Sequence, residues 1–343
     1  CLATYRPLTD YDWSKKLELF NQIPEIKLRL IDQPLNEKAL TKTIPLLRNI
    51  SDNTSIKVME QYMENPYPRW EKLKILNQKI PITKFCNQYN LKLYNENIRN
   101  ISAPEILIAG CGTGQNSIEV ASTFLNSQVT AIDLSASSLA YAHRKTNELG
   151  IKNLNYLKAD ILDLKYLDRK FDIIDCSGVL HHMKDPMKGW QILVNQLKSG
   201  GLMRVGLYSK LARRHIDKIR KDIISLGISS TKHEIKKFRQ SLIDAQNEDL
   251  QGLIMFRDFY NLSELRDLLF HAQESHFTLP QIQICLTELK LKFCGLHAKD
   301  IVSHFRSFFG DKSDIYDLTV WSQFEEKKPN TFTSMYQLWC QKP

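Results

Sequence analysis

Three features in the middle of the chain have the residue types and spacing to hold a nucleoside. The first is Glu105–Gly114, E-I-L-I-A-G-C-G-T-G, in which Gly110, Gly112 and Gly114 stand at alternate positions. Bare backbone there lets a ligand approach a helix N-terminus, and some of these positions call for φ > 0. The second is Asp133, 19 residues beyond Gly114, where a carboxylate can accept both ribose hydroxyls. The third is Asp160 in Lys158-Ala159-Asp160-Ile161, placed to accept from an adenine amino group. The glycine spacing also excludes a chemistry. A dinucleotide fingerprint wants G-x-G-x-x-G against a pyrophosphate. Here the third glycine comes one residue early and Gln115 takes the remaining slot, which suits a ligand without a pyrophosphate.

The elements that must position these residues alternate strand and helix. A buried strand over 106–109 feeds the glycine turn, and Ile118, Ala121, Phe124 and Leu125 give 115–126 a helical face. A strand over 128–132 ends at Asp133, a helix over 136–149 closes at Gly150, and a strand over 154–158 ends before Asp160. A strand over 171–176, a helix over 186–197 and a strand over 202–207 follow. Such alternation with short connections predicts an α/β fold with a doubly wound parallel sheet, ligands binding at the carboxyl ends of its strands. Residues 1–100 read as helical, with apolar clusters Leu17-Leu19-Phe20, Ile26-Leu28-Leu30-Ile31 and Ile44-Leu46-Leu47-Ile50 split by prolines. Residues 209–280 are a helical insertion, in which Asn261 or Ser263 caps a helix over 264–271, and strands return at 288–293 and 334–340 as a hairpin around a long connection.

Composition narrows the classes further. The 343 residues hold 43% hydrophobic and 25% charged residues, the mixture of an ordinary globular protein. No run of about 20 apolar residues predicts a membrane span, and no signal peptide is read. Because the chain begins at Cys1, the native protein is expected to extend further N-terminally or to have been trimmed. Seven cysteines, odd in number and without a C-x-x-C pair, support neither a disulfide framework nor a zinc site, so no metal is expected and a reducing cytoplasm is. The net charge of +9 is spread over dispersed lysines, which reads as a solvated surface rather than a nucleic-acid partner.

Residues 104–208 resemble a class I S-adenosylmethionine-dependent methyltransferase domain, on Gly110-Cys111-Gly112-Thr113-Gly114, Asp133-Leu134-Ser135, Asp160, Phe171-Asp172, Val179-Leu180-His181-His182-Met183 and Leu197-Lys198-Ser199-Gly200-Gly201. Glu64–Trp70, Phe256–Pro280 and Phe324–Trp339 are similar to bacterial methyltransferases with upstream tetratricopeptide repeats, which would lie before Cys1. The resemblance implies a mostly parallel seven-stranded Rossmann-like sheet. It divides the chain into a helical N-terminal region and lid (1–100), a cofactor-binding core (101–208), a helical substrate cover (209–280) and C-terminal strands completing the sheet (281–343). It also implies S-adenosylmethionine as cofactor and S-adenosylhomocysteine as product, held by Gly110, Cys111, Gly112, Gly114, Gln115, Asp133, Leu134, Asp160, Ile161 and Ser177. The methyl group passes by in-line displacement to a small-molecule or polypeptide acceptor. His181, His182 or Tyr208 would serve as a general base if the nucleophile is protonated. Tyr67, Arg69 and Trp70 read as lid residues, and Arg213 and Arg214 as holders of an anionic substrate. Ile108 stands where the family usually carries an acid that orients the methionine amino group, so another group, from Glu64–Trp70, is expected to take over. Two other classes remain: a catalytically inactive partner-binding protein on the same fold, and a nicotinamide oxidoreductase.

Overall fold

A computed structural model describes residues 7–16, 24–75, 78–244, 257–333 and 335–343. Leu17, Leu19, Phe20, Phe256 and Ser334 lie outside the described residues. The site is carried by one seven-stranded sheet, ordered β3-β2-β1-β4-β5-β7-β6. Its strands are β1 (Glu105–Ala109), β2 (Gln128–Asp133), β3 (Leu154–Lys158), β4 (Phe171–Ser177), β5 (Leu197–Leu207), β6 (Lys292–Leu296) and β7 (Tyr336–Gln341). The first five pair in parallel, and β7 runs antiparallel between β5 and β6. The order reverses between β1 and β4, the switch point at which open sheets of this kind take ligands.

β1 shows why the run I-L-I-A becomes a central strand. Alternate side chains enter opposite layers: Leu107 and Ala109 join one buried cluster, Ile106 and Ile108 the other. A strand covered on both faces needs a continuous apolar run, not an alternating one. The glycine turn ends β1, and α1 (Gln115–Thr123) starts directly after Gly114. Ser135 caps α2 (Ala136–Glu148) by accepting from the Ser138 N–H at 3.1 Å.

The sequence places some boundaries differently from the structure. The helix expected to reach 126 stops at Thr123, and Phe124 is extended. β5 begins at Leu197 because Ser199-Gly200-Gly201 forms a bulge inside it rather than a loop before it. Gly200 takes φ +77°, and the register against β4 jumps from Phe171–Leu197 to Ile173–Leu202. Most of the strand expected over 288–293 is not a strand. Residues Leu279–Glu288 are helical, started by a capping box between Thr278 and Gln281 and held by the buried stripe Ile282, Cys285, Leu286. Lys290, at φ +55°, ends that turn before β6. Helices Lys299–Phe309 and Leu318–Lys327 then separate β6 from β7.

The helical region before β1 is stitched to the sheet by backbone bonds: Leu46 bridges Lys158 and Ile80 bridges Phe124. The insertion after β5 carries its own apolar cluster, including Ile219, Ile235, Phe238, Phe259 and Leu265. Asn261, not Ser263, caps its helix α3 (Leu262–Phe270). Among the described residues, no helix is long and apolar enough to cross a membrane.

The aromatic layer behind β7 centres on Trp321, fully buried, 3.9 Å from the Phe305 ring centroid and donating its indole N–H to the Ile315 carbonyl at 2.9 Å. Trp321→Ala is expected to cost about 3–5 kcal/mol in denaturant unfolding. A loss under about 1 kcal/mol would show that this layer does not support the sheet.

Candidate active site

The C-terminal ends of β1 to β4 open into a cavity of about 330 Å³. Its floor is the glycine turn. The Gly110 and Cys111 N–H groups both donate to the Ile132 carbonyl at 2.9 Å, folding the turn onto the end of β2. Asp133 completes the fixation: one carboxylate oxygen accepts from the Gly112 N–H and the other from the Ser135 N–H, each at 2.8 Å. Glycine is required at two of these positions. At Gly110 (φ +76°) a Cβ would meet Val179 Cγ2 at 2.2 Å, and at Gly112 (φ +52°) it would meet the Tyr67 carbonyl at 2.8 Å.

Asp160 sits at the next strand end, 4% exposed, and accepts from the Leu162 N–H at 2.9 Å. Burial pushes both Asp133 and Asp160 above the usual carboxylate range. Backbone N–H groups at each, and the Ser55 hydroxyl at Asp160, pull the other way.

The roof comes from the N-terminal region. The helix Asn53–Glu64 lines the cavity through Ser55, Val58 and Tyr62, and the chain then passes directly over the glycine turn at Tyr67 and Pro68. Two bonds fasten that strap: the Thr113 hydroxyl to the Pro68 carbonyl, and the Trp70 indole N–H to the Thr113 carbonyl at 3.1 Å.

The far wall joins His182, Tyr208, Tyr62, Tyr67 and Asp267 around the cavity. Its hydrogen bonds fix the protons. The Gln273 carbonyl lies 2.8 Å from His182 Nδ1, so Nδ1 carries the proton and Nε2 keeps a lone pair. The Gln273 N–H donates to His271 Nδ1 at 3.1 Å, so the His271 proton is on Nε2, 3.1 Å from the Tyr62 hydroxyl oxygen. Tyr62 in turn donates to Asp267 at 2.5 Å. His182, Asp267 and His271 have ligand atoms within 4.8 Å of one another, but this tautomer of His271 offers no Nε2 lone pair to a cation. His271, Tyr62 and Asp267 form a hydrogen-bond chain, and His182 stacks on His271 with ring centroids 3.6 Å apart.

Burial lowers His182 to about 3, with His271 adding to the shift, and lowers His271 to about 4, so both rings are neutral near pH 7. Burial also raises Asp267 above its usual range and pushes the Tyr67 and Tyr208 hydroxyls up, so both tyrosines stay protonated.

Of the residues expected from sequence, Gly110, Cys111, Gly112, Gln115, Asp133, Leu134, Asp160, Ile161 and Ser177 line the cavity, as do Tyr67, His182 and Tyr208. The others stand behind it. Gly114 turns towards Ala142. Trp70 holds the strap, and Arg69 lies 3.7 Å from Glu37 outside the cavity. His181 is fully buried, stacked 3.8 Å from the Tyr208 ring centroid, and neither ring nitrogen has a hydrogen-bond partner among the described residues. Arg213 is buried 3.4 Å above the Tyr208 ring and faces Glu274 at 3.8 Å, while Arg214 donates to the Leu211 carbonyl at 2.8 Å. The anion that Arg213 meets is thus an internal one. Burial raises Glu274, but the His276 hydrogen bond, Arg213 and Arg220 outweigh it and hold Glu274 at about 2.

Tyr62, Asp267 and His271 are not among the site residues expected from sequence, although the last two lie within the Phe256–Pro280 stretch that carries a resemblance. The Tyr62–Asp267 bond spans 205 residues, and neither partner sits in a motif.

A glycine turn, two acids on successive strand ends and a switch point beneath them define the nucleoside-binding face of a class I S-adenosylmethionine-dependent methyltransferase domain. Residues 102–263, a little under half of the chain, match the family model described as a methyltransferase domain, and the sheet has the class I methyltransferase fold. A protein of Synechococcus sp. is 34% identical over 127 residues, 37% of this chain and 30% of its own length. The ubiquinone biosynthesis O-methyltransferase of Rickettsia felis is 26% identical over 212 residues, 59% of this chain and 84% of that enzyme. Among solved structures, PKMT2 from Rickettsia typhi superposes with TM-score 0.57 at 16% identity, over 81% of this chain and 55% of that one. The same protein in complex with AdoHcy gives TM-score 0.55. This likeness is one of fold. The chain thus spans about half the length of PKMT2 and under a third of the Synechococcus protein.

An unfolded histidine binds a proton near its ordinary value of about 6.5, whereas folded His182 and His271 do not until about 3 and 4. Folding stability is therefore expected to fall as pH drops from 6.5 towards 5, by on the order of 1 kcal/mol per pH unit for each ring. Asp267, raised by burial, acts in the opposite sense. Denaturant unfolding at stepped pH should show this slope, flattened in a His182→Gln/His271→Gln variant. An unchanged slope would mean that the rings are solvated and titrate normally.

Proposed function

We propose that the chain is an S-adenosylmethionine-dependent methyltransferase acting on a small-molecule or polypeptide acceptor. The observation that carries this reading is the meeting, in one cavity, of the glycine turn, Asp133 and Asp160 at three adjacent strand ends. The residues fit the cofactor. Asp133 uses two of its lone pairs on backbone N–H groups and keeps others for ribose hydroxyls, since a carboxylate accepts at about four sites. Asp160, with Leu134 and Ile161, suits an adenine. S-adenosylmethionine brings a methyl group activated by its sulfonium.

This chain's residues orient the acceptor, exclude water and take the proton. The strap at Tyr67-Pro68 and the insertion, through Asp267, cover the cavity, so the 1–100 and 209–280 regions act as acceptor cover. His182, neutral with a free Nε2 lone pair, is the base for an acceptor whose nucleophile carries a proton. Tyr208 is clamped between His181 and Arg213 and serves as a wall and hydrogen-bond donor. A histidine oriented by the Gln273 carbonyl at the cavity wall favours an active enzyme over a retained fold without transfer, and the glycine spacing disfavours a nicotinamide ligand. Six described cysteines are buried free thiols, which accords with a reducing cytoplasm.

Two measurements test the reading. S-adenosylhomocysteine formation, followed across small-molecule and polypeptide acceptors, should rise with at least one of them and drop by about a hundredfold or more in His182→Ala. Asp133→Ala should weaken S-adenosylmethionine binding by more than about tenfold. Unchanged affinity in that variant would remove Asp133 from the site.

A further inference from the structure

Ile108 leaves β1 without a carboxylate beside the glycine turn, but the residue paired with it in register on β4 is Asp175. Paired positions on parallel strands face the same side of the sheet. Asp175 is 2% exposed and its oxygens are all engaged. One accepts from the Asn116 carboxamide at 3.0 Å and pairs with the Arg204 guanidinium; the other accepts from the Ser177 hydroxyl at 2.8 Å. Arg204 also donates to the Asn116 carbonyl oxygen at 2.6 Å, closing the ring.

Two members of this ring, Asn116 and Ser177, line the main cavity next to Gly110. Asp175 and Arg204 stand behind them, facing a second cavity of about 150 Å³. The direction of the bonds has a consequence. Because the Ser177 hydroxyl spends its proton on Asp175, its oxygen turns lone pairs to the cavity, with a carboxylate directly behind it. With the Asp175 charge countered by Arg204, that is a receptor for a hydrogen-bond donor, an ammonium N–H among them. It lies on the β4 side of the glycine turn, across β1 from Asp133 and Asp160.

We propose that Asp175 is a positioning residue that orients Ser177 and Asn116 as the receptor for the α-ammonium end of the cofactor. It acts from β4 where β1 offers only Ile108. The inference rests on the cofactor reading above. It is an alternative to the expectation that Glu64–Trp70 supplies this group, a segment that meets the glycine turn through main-chain carbonyls and Trp70.

The test is a pair of ligands that differ only at that end. S-adenosylhomocysteine carries the amino acid; methylthioadenosine keeps the nucleoside and the sulfur without it. In calorimetric titration, Asp175→Asn should weaken S-adenosylhomocysteine by at least about tenfold and leave methylthioadenosine within about twofold. Ser177→Ala, which keeps the Asp175–Arg204 pair, should shift the same ligand in the same direction, and retained methylthioadenosine binding reports that each variant is folded. Equal losses for both ligands, or no loss for either in the two variants, would overturn the proposal. Failure of both ligands to bind the unsubstituted chain would instead overturn the cofactor reading on which it stands.

Discussion

The site depends on one half-buried carboxylate. Asp133 accepts from Gly112 on one side and Ser135 on the other, tying the turn after β1 to the start of α2. Its own backbone carbonyl accepts from Ala159 N–H at 3.1 Å, bringing the end of β3 into the same knot. Charge-assisted bonds of this kind contribute about 1.5–3 kcal/mol each. Their larger effect here is geometric: three strand ends are held at fixed height, and the ligand-facing backbone between them is bare. Gly112 makes the knot possible twice over, since its φ of +52° aims the N–H at Asp133 and its missing Cβ lets the Tyr67 carbonyl close from above.

The acceptor side is built on a different principle. The nucleoside side joins main-chain groups to two carboxylates, whereas the far wall uses histidines and tyrosines held neutral by burial. His271 and Tyr62 each accept one hydrogen bond and donate another, and Gln273 orients His182 and His271 through its carbonyl and its N–H. Behind Tyr208, Arg213, Arg220 and His276 converge on Glu274. This ionic cluster takes no part in the cavity but fixes the ring that does. A buried group of this kind is costly unless fully paired, and here nearly every charge has its counterpart within the insertion.

Much of the nucleoside side was legible because its signals are local. A buried run, a glycine spacing and an acid at a strand end occupy a few adjacent residues, and the topology follows from alternation. The C-terminal third was harder. The stripe at Ile282, Cys285 and Leu286 is helical, yet the alternation of Leu289, Leu291 and Phe293 reads as strand, and the capping box at Thr278 and Gln281 starts the helix that precedes it. Of the acceptor wall, His182, Tyr208 and Tyr67 were legible, but Tyr62, Asp267 and His271 were not. Its partners stand more than 200 residues apart, and a lone tyrosine on an amphipathic helix carries no mark of its partner. Arg213 was read as facing a substrate because nothing in the sequence shows that the helix turns inward onto Glu274. Asp175 was hidden for a similar reason, since its register with Ile108 exists only once β4 lies beside β1.

The central claim is that the cavity above Asp133 takes an adenosine linked to sulfur and not a dinucleotide. Calorimetric titration of the chain with S-adenosylmethionine, S-adenosylhomocysteine and NADH tests it most directly. The account predicts one site per chain for the two sulfur nucleosides, with dissociation constants on the order of micromolar, and no heat of binding for NADH. Binding of NADH with none for the sulfur nucleosides would contradict it.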